Sequence, residues 1–201
     1  DAPRLVLYTS GTTGAPKGAV LSARNIAATL DGLSEAWELS ARDTLVHAFA
    51  RAGYRTVALM PGLRQDWREG VALYGFDAVY DAGRLDYRGP AFGWWRIPDQ
   101  YALGKLDRAE VAPSARQPLF VFFPTITSHA PFRPMPPYQP DWARLLSDEP
   151  FDASVAQALQ AERAEWQDLD PAYAGAIDYV LTALAGYLRA RAALIDRSKA
   201  M

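Results

Sequence analysis

The sequence predicts an α/β fold in which helices flank a partial central sheet of mixed or parallel strands, and three observations support this prediction. Short β-branched and aromatic runs alternate along the chain with segments of helical periodicity. The run at 118–126, PLFVFFPTI, is continuous and apolar, as expected of a central strand covered on both faces. Half of the 201 residues are hydrophobic, which is enough for a sizeable core.

The N-terminal elements predict a β-loop-β-helix appendage to this core. RLVLY at 4–8 reads as a strand that ends in a Thr, Ser and Gly loop, and GAVLS at 18–22 reads as a second strand after that loop. Apolar residues then recur at helical spacing from Ser22 or Ala23 to about Trp37, with Ser22 as the expected cap.

The following segment predicts a helix and then a buried strand. Ser40 is the expected N-cap of the helix and Gly53 its C-terminal stop. YRTVALM at 54–60 is the strand. Residues 61–100 lack clear periodicity and predict a long loop system, except for a short helix from near Pro98 to about residue 106.

The C-terminal part predicts a proline-rich loop and two helices. APFRPMPPYQP at 130–140 has five prolines in eleven residues and must be extended. The helices are expected at about 153–166 and from Asp170 and Pro171 onward. One face of the second helix should carry its apolar side chains, namely Tyr173, Ile177, Val180, Leu181, Leu184 and Leu188.

Composition excludes several function classes. A net charge of −2 gives no sign of a nucleic-acid partner or of an anionic membrane surface, and the lack of cysteine excludes disulfides and thiolate metal sites. No apolar run approaches the roughly 20 residues of a membrane-spanning helix, so we expect no membrane segment in this chain. Composition leaves the cellular location undetermined.

The segment YTSGTTGAPKG at 8–18 is the most informative stretch for function. Its glycines lack Cβ atoms and allow backbone N–H groups to approach phosphate oxygens, while its hydroxyls and Lys17 add donors and a positive charge. The spacing differs from a P-loop, because Gly18 follows the lysine where Ser or Thr is required. The alternative interpretation is an ordinary Gly/Ser/Thr hairpin loop.

Every position from Tyr8 to Gly18 matches the signature [YF]-T-S-G-[ST]-T-G-x-P-K-G, so residues 3–48 resemble the adenylate-forming superfamily of acyl-CoA synthetases. The resemblance implies ATP and Mg²⁺ as cofactors and an ATP-phosphate-binding role for one set of residues, namely Thr9, Ser10, Gly11, Thr12, Thr13, Gly14 and Lys17. The adenine pocket, the acidic Mg²⁺ ligand and the distal lysine of that family have no counterpart later in the chain, so we expect no tightly bound cofactor.

Residues 49–201 resemble a different group, the lipoteichoic-acid-synthase-like branch of the alkaline-phosphatase/sulfatase superfamily. The matching pieces occur in the family's order: AFARAGYRT, YGFDAVYD, FGWWRIPDQYAL, PLFVFFPTITSHAPF and AYAGAIDYVLTALAGYL. The resemblance implies a small anionic substrate, a phosphate or sulfate ester, together with a divalent metal and a parent enzyme that can be membrane-anchored. The nucleophile and the metal ligands of that family are absent, so we expect neither a catalytic residue nor a metal site.

Three residues of this second part are expected to bind substrate by resemblance. His129 follows the 118–126 strand, whose C-terminal end is where ligands bind in open α/β sheets, and Trp67 and Arg68 correspond to residues that line the phosphate site. Arg64 and Arg96 are alternatives to Arg68. The competing interpretation of His129 is that its ring ties the proline loop to its own backbone.

The sequence thus predicts an apparent chimera or fragment with two domains, an adenylate-forming-enzyme fragment at 1–48 and a sulfatase-like domain fragment at 49–201. Its leading functional interpretation is an incomplete sulfatase or phosphatase-superfamily hydrolase, or phosphoglycerol transferase, fused to an ATP-phosphate-binding loop and inactive as it stands. The alternative is an acyl-CoA synthetase fragment that binds ATP through residues 8–18.

Overall fold

A computed structural model of the chain divides into two compact units, Asp1–Ala48 and Phe49–Met201. The structure describes residues 3–9, 17–22, 44–93, 96–113, 117–161 and 169–199. None of the described helices is long and apolar enough to cross a membrane.

The first unit contains an antiparallel hairpin. Strand β1 (Pro3–Thr9) pairs with β2 (Lys17–Ser22) from Leu5 opposite Leu21 to Thr9 opposite Lys17. Both predicted strands are confirmed, because a β-branched and aromatic run forms each of them. The helix predicted up to Trp37 lies outside the described residues.

Helix α1 (Leu45–Arg51) ends as the sequence predicts. Gly53 adopts the left-handed conformation with φ 81°, its N–H donates to the carbonyl of Ala50, and the N–H of Tyr54 donates to the carbonyl of Phe49. This pair of bonds is a Schellman motif, in which glycine is favoured because it lacks a Cβ.

The start of α1 is set by a threonine and a histidine. The N–H of His47 donates to Thr44 Oγ1 at 3.3 Å, and the N–H of Thr44 donates to His47 Nδ1 at 3.3 Å. This is the reciprocal pattern of a capping box with imidazole in the place of a carboxylate. The described helix is therefore capped by Thr44, whereas Ser40, the predicted cap, lies outside the described residues.

The second unit is built on a parallel three-stranded sheet. Strand β3 (Arg55–Leu59) lies between β4 (Ala78–Tyr80) and β5 (Leu119–Phe122). The sheet confirms an α/β fold with a small parallel sheet, and the side chains of β3 after Arg55 are fully buried.

The prediction that 118–126 forms the central strand was wrong. Among the described strands β5 pairs only with β3, and it has four residues, of which Phe122 is 45% exposed. Pro124 has no N–H to donate and limits extension of the ladder. A continuous apolar run therefore predicted a strand but not its position in the sheet.

The prediction of loop structure throughout 61–100 was also wrong in part. Besides β4, this segment contains helices α2 (Arg68–Tyr74) and α3 (Ala82–Leu85). These elements have three to seven residues, too few for periodicity to show. Helix α4 (Asp99–Leu106) begins after Pro98 as predicted and continues into a π turn at Asp107–Val111.

The proline-rich stretch 130–140 contains neither helix nor strand, as predicted. It is followed by α5 (Trp142–Leu145), α6 (Ala153–Ala161) and α7 (Leu169–Lys199), so both predicted C-terminal helices are confirmed over the residues described.

The predicted apolar face of α7 was partly wrong. Tyr173, Leu181 and Leu188 are at least half exposed, and the buried positions are Ala176, Tyr179, Val180 and Ala183. Small alanines allow close approach to the core, so they are buried in preference to the larger leucines.

Candidate functional site

The two ends of the predicted phosphate loop lie opposite each other in the β1–β2 hairpin. Thr9, the last residue of β1, and Lys17, the first of β2, are Cα partners in the ladder. Ser10, Gly11, Thr12, Thr13 and Gly14 lie outside the described residues. The hairpin backbone therefore brings together the first and last of the predicted nucleotide-binding residues, which are separated by seven intervening residues.

His129 lies in the segment that follows β5. Its N–H donates to the carbonyl of Ile126 at 3.0 Å, and its exposed ring donates from Nδ1 to the carbonyl of Ala130 at 2.8 Å. This contact is the one that the competing interpretation describes, a histidine bonded to the backbone of its own proline loop. Binding of an anionic substrate by His129 stays a prediction.

Trp67 and Arg68 are found at the start of α2, each with a local partner. The indole of Trp67 packs over Gly70 and lies 5.6 Å from the ring of Tyr74. Arg68 Nε donates to Asp66 Oδ2 at 2.6 Å, and both side chains are mostly exposed. Their substrate-binding roles also stay predictions.

The structure brings the two alternative arginines to one cavity. Arg64 and Arg96 line a cavity of about 300 Å³ together with Asp86 and Tyr87. Arg96 (φ 62°) and Asp86 (φ 46°) are the two non-glycine residues of positive φ in the described chain. Both conformations belong to local turns, because Asp86 caps the end of α3 and Arg96 pairs with the backbone of Phe92. Binding of an anion by Arg64 or Arg96 stays a prediction.

Asp99 organises the segment after β5 and was not singled out from the sequence. Its carboxylate is 1% exposed and accepts hydrogen bonds from the N–H groups of Ile126 (3.0 Å) and Thr127 (2.9 Å). Burial raises the pKa of Asp99, and these amide donors oppose that rise. An aspartate directly after Pro98 at a predicted helix start was the available signal, but its partners are 27 and 28 residues away.

A second polar network crosses the sheet unit. Arg55 donates to both carboxylate oxygens of Glu110 at 2.7 and 2.8 Å, and the hydroxyl of Tyr80 donates to Glu110 at 2.8 Å. The hydrogen-bonded Arg55 guanidinium lowers the pKa of Glu110, whereas burial and the bond to this carboxylate raise the pKa of Tyr80. The network is a bidentate, charge-assisted arrangement that fixes the Tyr80 ring.

The described residues contain no group of three or more His, Asp or Glu side chains arranged to hold a metal ion.

Comparison with protein families gives a match to the N-terminal part of the chain. A family model described as AMP-binding enzyme matches residues 1–65, which extends past the predicted boundary at 48 and includes β3. No solved structure matches the chain.

Three similar curated proteins are CoA ligases. The mitochondrial malonate–CoA ligase ACSF3 of Mus musculus is 45% identical over 47 residues, 23% of this chain and 8% of that protein. The probable CoA ligase CCL8 of Humulus lupulus is 36% identical over 91 residues, 34% of this chain and 14% of that protein. A malonate–CoA ligase of Arabidopsis thaliana is 47% identical over 47 residues, 23% of this chain and 8% of that protein.

The chain thus spans between 8% and 14% of the length of these relatives. The matches give no support to a sulfatase or alkaline-phosphatase identity of residues 49–201. They do support the adenylate-forming resemblance, and residues 1–65 are similar to AMP-binding enzymes.

Proposed function

We propose that residues 9–17 bind the phosphate groups of ATP, with Mg²⁺, as a segment of an adenylate-forming enzyme of the CoA-ligase type. The observation that carries this proposal is the pairing of Thr9 with Lys17 across the hairpin, which holds the two ends of the motif together inside the matched region 1–65.

The proposed chemistry rests on the residues of this segment. Backbone N–H groups beside Gly11 and Gly14 and the hydroxyls of the loop donate to phosphate oxygens, and the ammonium group of Lys17 offsets their negative charge. In enzymes of this type, a substrate carboxylate attacks the α-phosphorus of ATP and pyrophosphate leaves. This chain supplies the phosphate contacts of that reaction. Without the burial of an adenine ring, we expect ATP binding to be weak.

The chain offers a matched test, because it has three lysines, at 17, 105 and 199. We expect Lys17→Ala to weaken Mg·ATP binding about tenfold or more, since it removes a charge-assisted contact to phosphate. Lys199→Ala is the control and should leave the affinity within about twofold. The affinity is measured by calorimetry, and equal affinity of wild type and Lys17→Ala contradicts the proposal.

A second candidate function concerns residues 49–201, namely hydrolysis or transfer at a phosphate or sulfate ester. The observation that favours it is the position of His129 in the segment after the parallel strand β5. The test is a hybrid carrying the flanking segments of an intact sulfatase-type enzyme. In an active hybrid, His129→Ala should lower turnover by about 100-fold, the usual scale for losing one donor to a reacting anion. A folded, metal-loaded hybrid without activity excludes this function.

A further inference from the structure

We propose that a basic cleft in the second unit, lined by Arg84, Lys105 and Arg108, binds a multiply charged phosphate anion. The cleft has a volume of about 330 Å³, and its remaining lining residues are Tyr80 and Ala109. No carboxylate is among the residues that line it. The proposal does not depend on the function proposed for the loop at 9–17.

The cationic groups of the cleft differ from five other described arginines in their charge partners. Other arginine side chains are paired with carboxylates: Arg55 with Glu110, Arg68 with Asp66, Arg88 with Asp86, Arg144 with Asp152 and Arg191 with Asp107. Within the described structure, Arg84, Lys105 and Arg108 form no ion pair with a carboxylate. Arg84 acts electrostatically on the Glu110 carboxylate, but Glu110 does not line the cleft. An anion in the cleft therefore meets three cationic side chains and no lining carboxylate.

The floor of the cleft is held in place by the Glu110 network. Glu110 is bonded to Arg55 and fixes the hydroxyl of Tyr80. The Arg84 guanidinium lies 4.1 Å from the centre of the Tyr80 ring, and its Nη1 donates to the carbonyl of Val79 at 3.3 Å. A cation held by a ring and a carbonyl loses little freedom when it contacts an anion, so the site is preorganised.

The other wall is formed where α4 passes into the π turn. Lys105 in α4 and Arg108 in the turn are three residues apart, a spacing that puts side chains on neighbouring positions of a helical surface. The Lys105 ammonium lies 5.7 Å from the centre of the Tyr101 ring. Single π turns occur frequently at functional sites.

The charge of the cleft identifies the class of ligand. Three positive charges without a lining carboxylate match a group carrying two or more negative charges, and guanidinium and ammonium groups are the usual ligands of phosphate. The cavity beside Arg64 and Arg96 contains the Asp86 carboxylate and is less suited to such a group. Pyrophosphate, a nucleotide and inorganic phosphate share this chemistry.

The test is an NMR titration of the ¹⁵N-labelled full chain with pyrophosphate at constant ionic strength. We expect saturable shifts of the amides at 80–84 and 105–109, including Ala109. Lys105→Ala and Arg108→Ala should each weaken binding about tenfold. Arg108→Lys keeps the charge and should cost about threefold or less, and Lys199→Ala should change nothing. Parallel titrations with inorganic phosphate and with ATP show which of the three anions binds most tightly.

The outcomes separate this site from the loop at 9–17. Pyrophosphate shifts at 80–84 and 105–109 that survive in Lys17→Ala and weaken in Lys105→Ala support the proposal. If wild type shows no saturable shift in the cleft up to about 20 mM, well above millimolar affinity, the proposal is overturned. Binding unaffected by both alanine substitutions also overturns it. If a variant does not fold, the set of wild-type amides that shift on addition of pyrophosphate is sufficient to test the proposal.

Discussion

The β1–β2 hairpin and the parallel sheet of β3, β4 and β5 bring chemical groups together over very different chain distances. In the hairpin, Thr9 and Lys17 belong to one short motif and face each other across the ladder. In the sheet unit, Arg55 bonds to a glutamate 55 residues away, and Asp99 bonds to Thr127, 28 residues away. The contacts of the hairpin can thus be predicted from one short sequence motif. The contacts of the sheet unit join residues far apart in the chain and form only when the unit packs.

The two buried carboxylates of the sheet unit, Glu110 and Asp99, show that the hydrogen-bonding partner decides the direction of a pKa shift. The pKa of Glu110 is lowered because Arg55 is bonded to it, whereas burial raises the pKa of Asp99 and the uncharged donors of Ile126 and Thr127 only oppose that rise. A full positive charge stabilises the ionised form more than two amides do. These two groups therefore change stability in opposite directions as the pH changes.

The largest expected effect comes from Asp99, which is almost fully buried and accepts two backbone hydrogen bonds from the segment after β5. Asp99→Ala should lower the free energy of unfolding by about 3 kcal/mol, because two buried amides lose their acceptor and each loss costs roughly 1–3 kcal/mol. Urea unfolding followed by tryptophan fluorescence reports on this unit, since five of the six tryptophans lie after residue 48. Asp66→Ala is the control, an exposed aspartate paired only with Arg68, and should stay within about 0.5 kcal/mol. A loss below about 1 kcal/mol for Asp99→Ala would mean that water replaces the carboxylate.

Glu110→Gln should cost about 2 kcal/mol near neutral pH. A fully buried pair loses about 3–5 kcal/mol when one partner is removed, but Arg55 is 35% exposed and solvent screens the pair. Because the pKa of Glu110 is lowered in the folded state, its contribution is present above its unfolded pKa of about 4.3. It is lost as the pH falls through the lowered folded value.

The difference in stability between wild type and Glu110→Gln should therefore shrink in acid. Asp99 contributes the opposite slope, since its raised pKa makes stability fall as the pH rises from about 3.9 through the folded value. Asp152→Asn removes the partner of the exposed Arg144 and serves as the control with no measurable change. A Glu110→Gln effect that is constant from pH 7 to pH 3 contradicts the charge assignment.

Two glycine substitutions sharpen the interpretation of Trp67. A Cβ at Gly70 would come within 1.7 Å of the Trp67 indole, so Gly70→Ala should destabilise the unit by about 1.5 kcal/mol through overpacking. Gly175→Ala in α7 meets nothing within 4 Å and should stabilise by about 0.5–1 kcal/mol. The comparison uses thermal and urea unfolding of both variants. If both substitutions had the same effect, the Trp67 ring would have to move aside to make room for the added Cβ. A mobile ring of this kind would be free to contact a substrate.

The smallest expected effect tests the capping box at the start of α1. Thr44→Ala removes the side-chain acceptor for the N–H of His47 and should cost about 1 kcal/mol. Thr182→Ala, at an exposed position inside α7, is the matched control and should be neutral or slightly stabilising. Hydrogen exchange of the α1 amides measures the local effect. Unchanged exchange after Thr44→Ala would mean that the cap contributes nothing.

Several elements were predictable because their signals are local. β1, β2 and β3 follow from β-branched runs, α1 from its Gly53 stop, and α4 from Pro98 at its start. The three residues of β4 and the four of α3 were missed, because they are formed by pairing and packing rather than by a repeating pattern. The same limit applies to α7, where Ala176 and Ala183 are buried while Leu181 and Leu188 are exposed.

The sequence by itself determined the chemical identity of the segment from Tyr8 to Gly18 and its resemblance to AMP-binding enzymes, because eleven consecutive positions carry that information without any distant partner. Only the tertiary structure decided that β5 lies at the edge of the described sheet, and that Arg84 and Arg108 line one cleft. Burial, pairing and charge balance depend on which neighbours a residue acquires, and neighbours distant in the chain leave no local pattern from which they could be read.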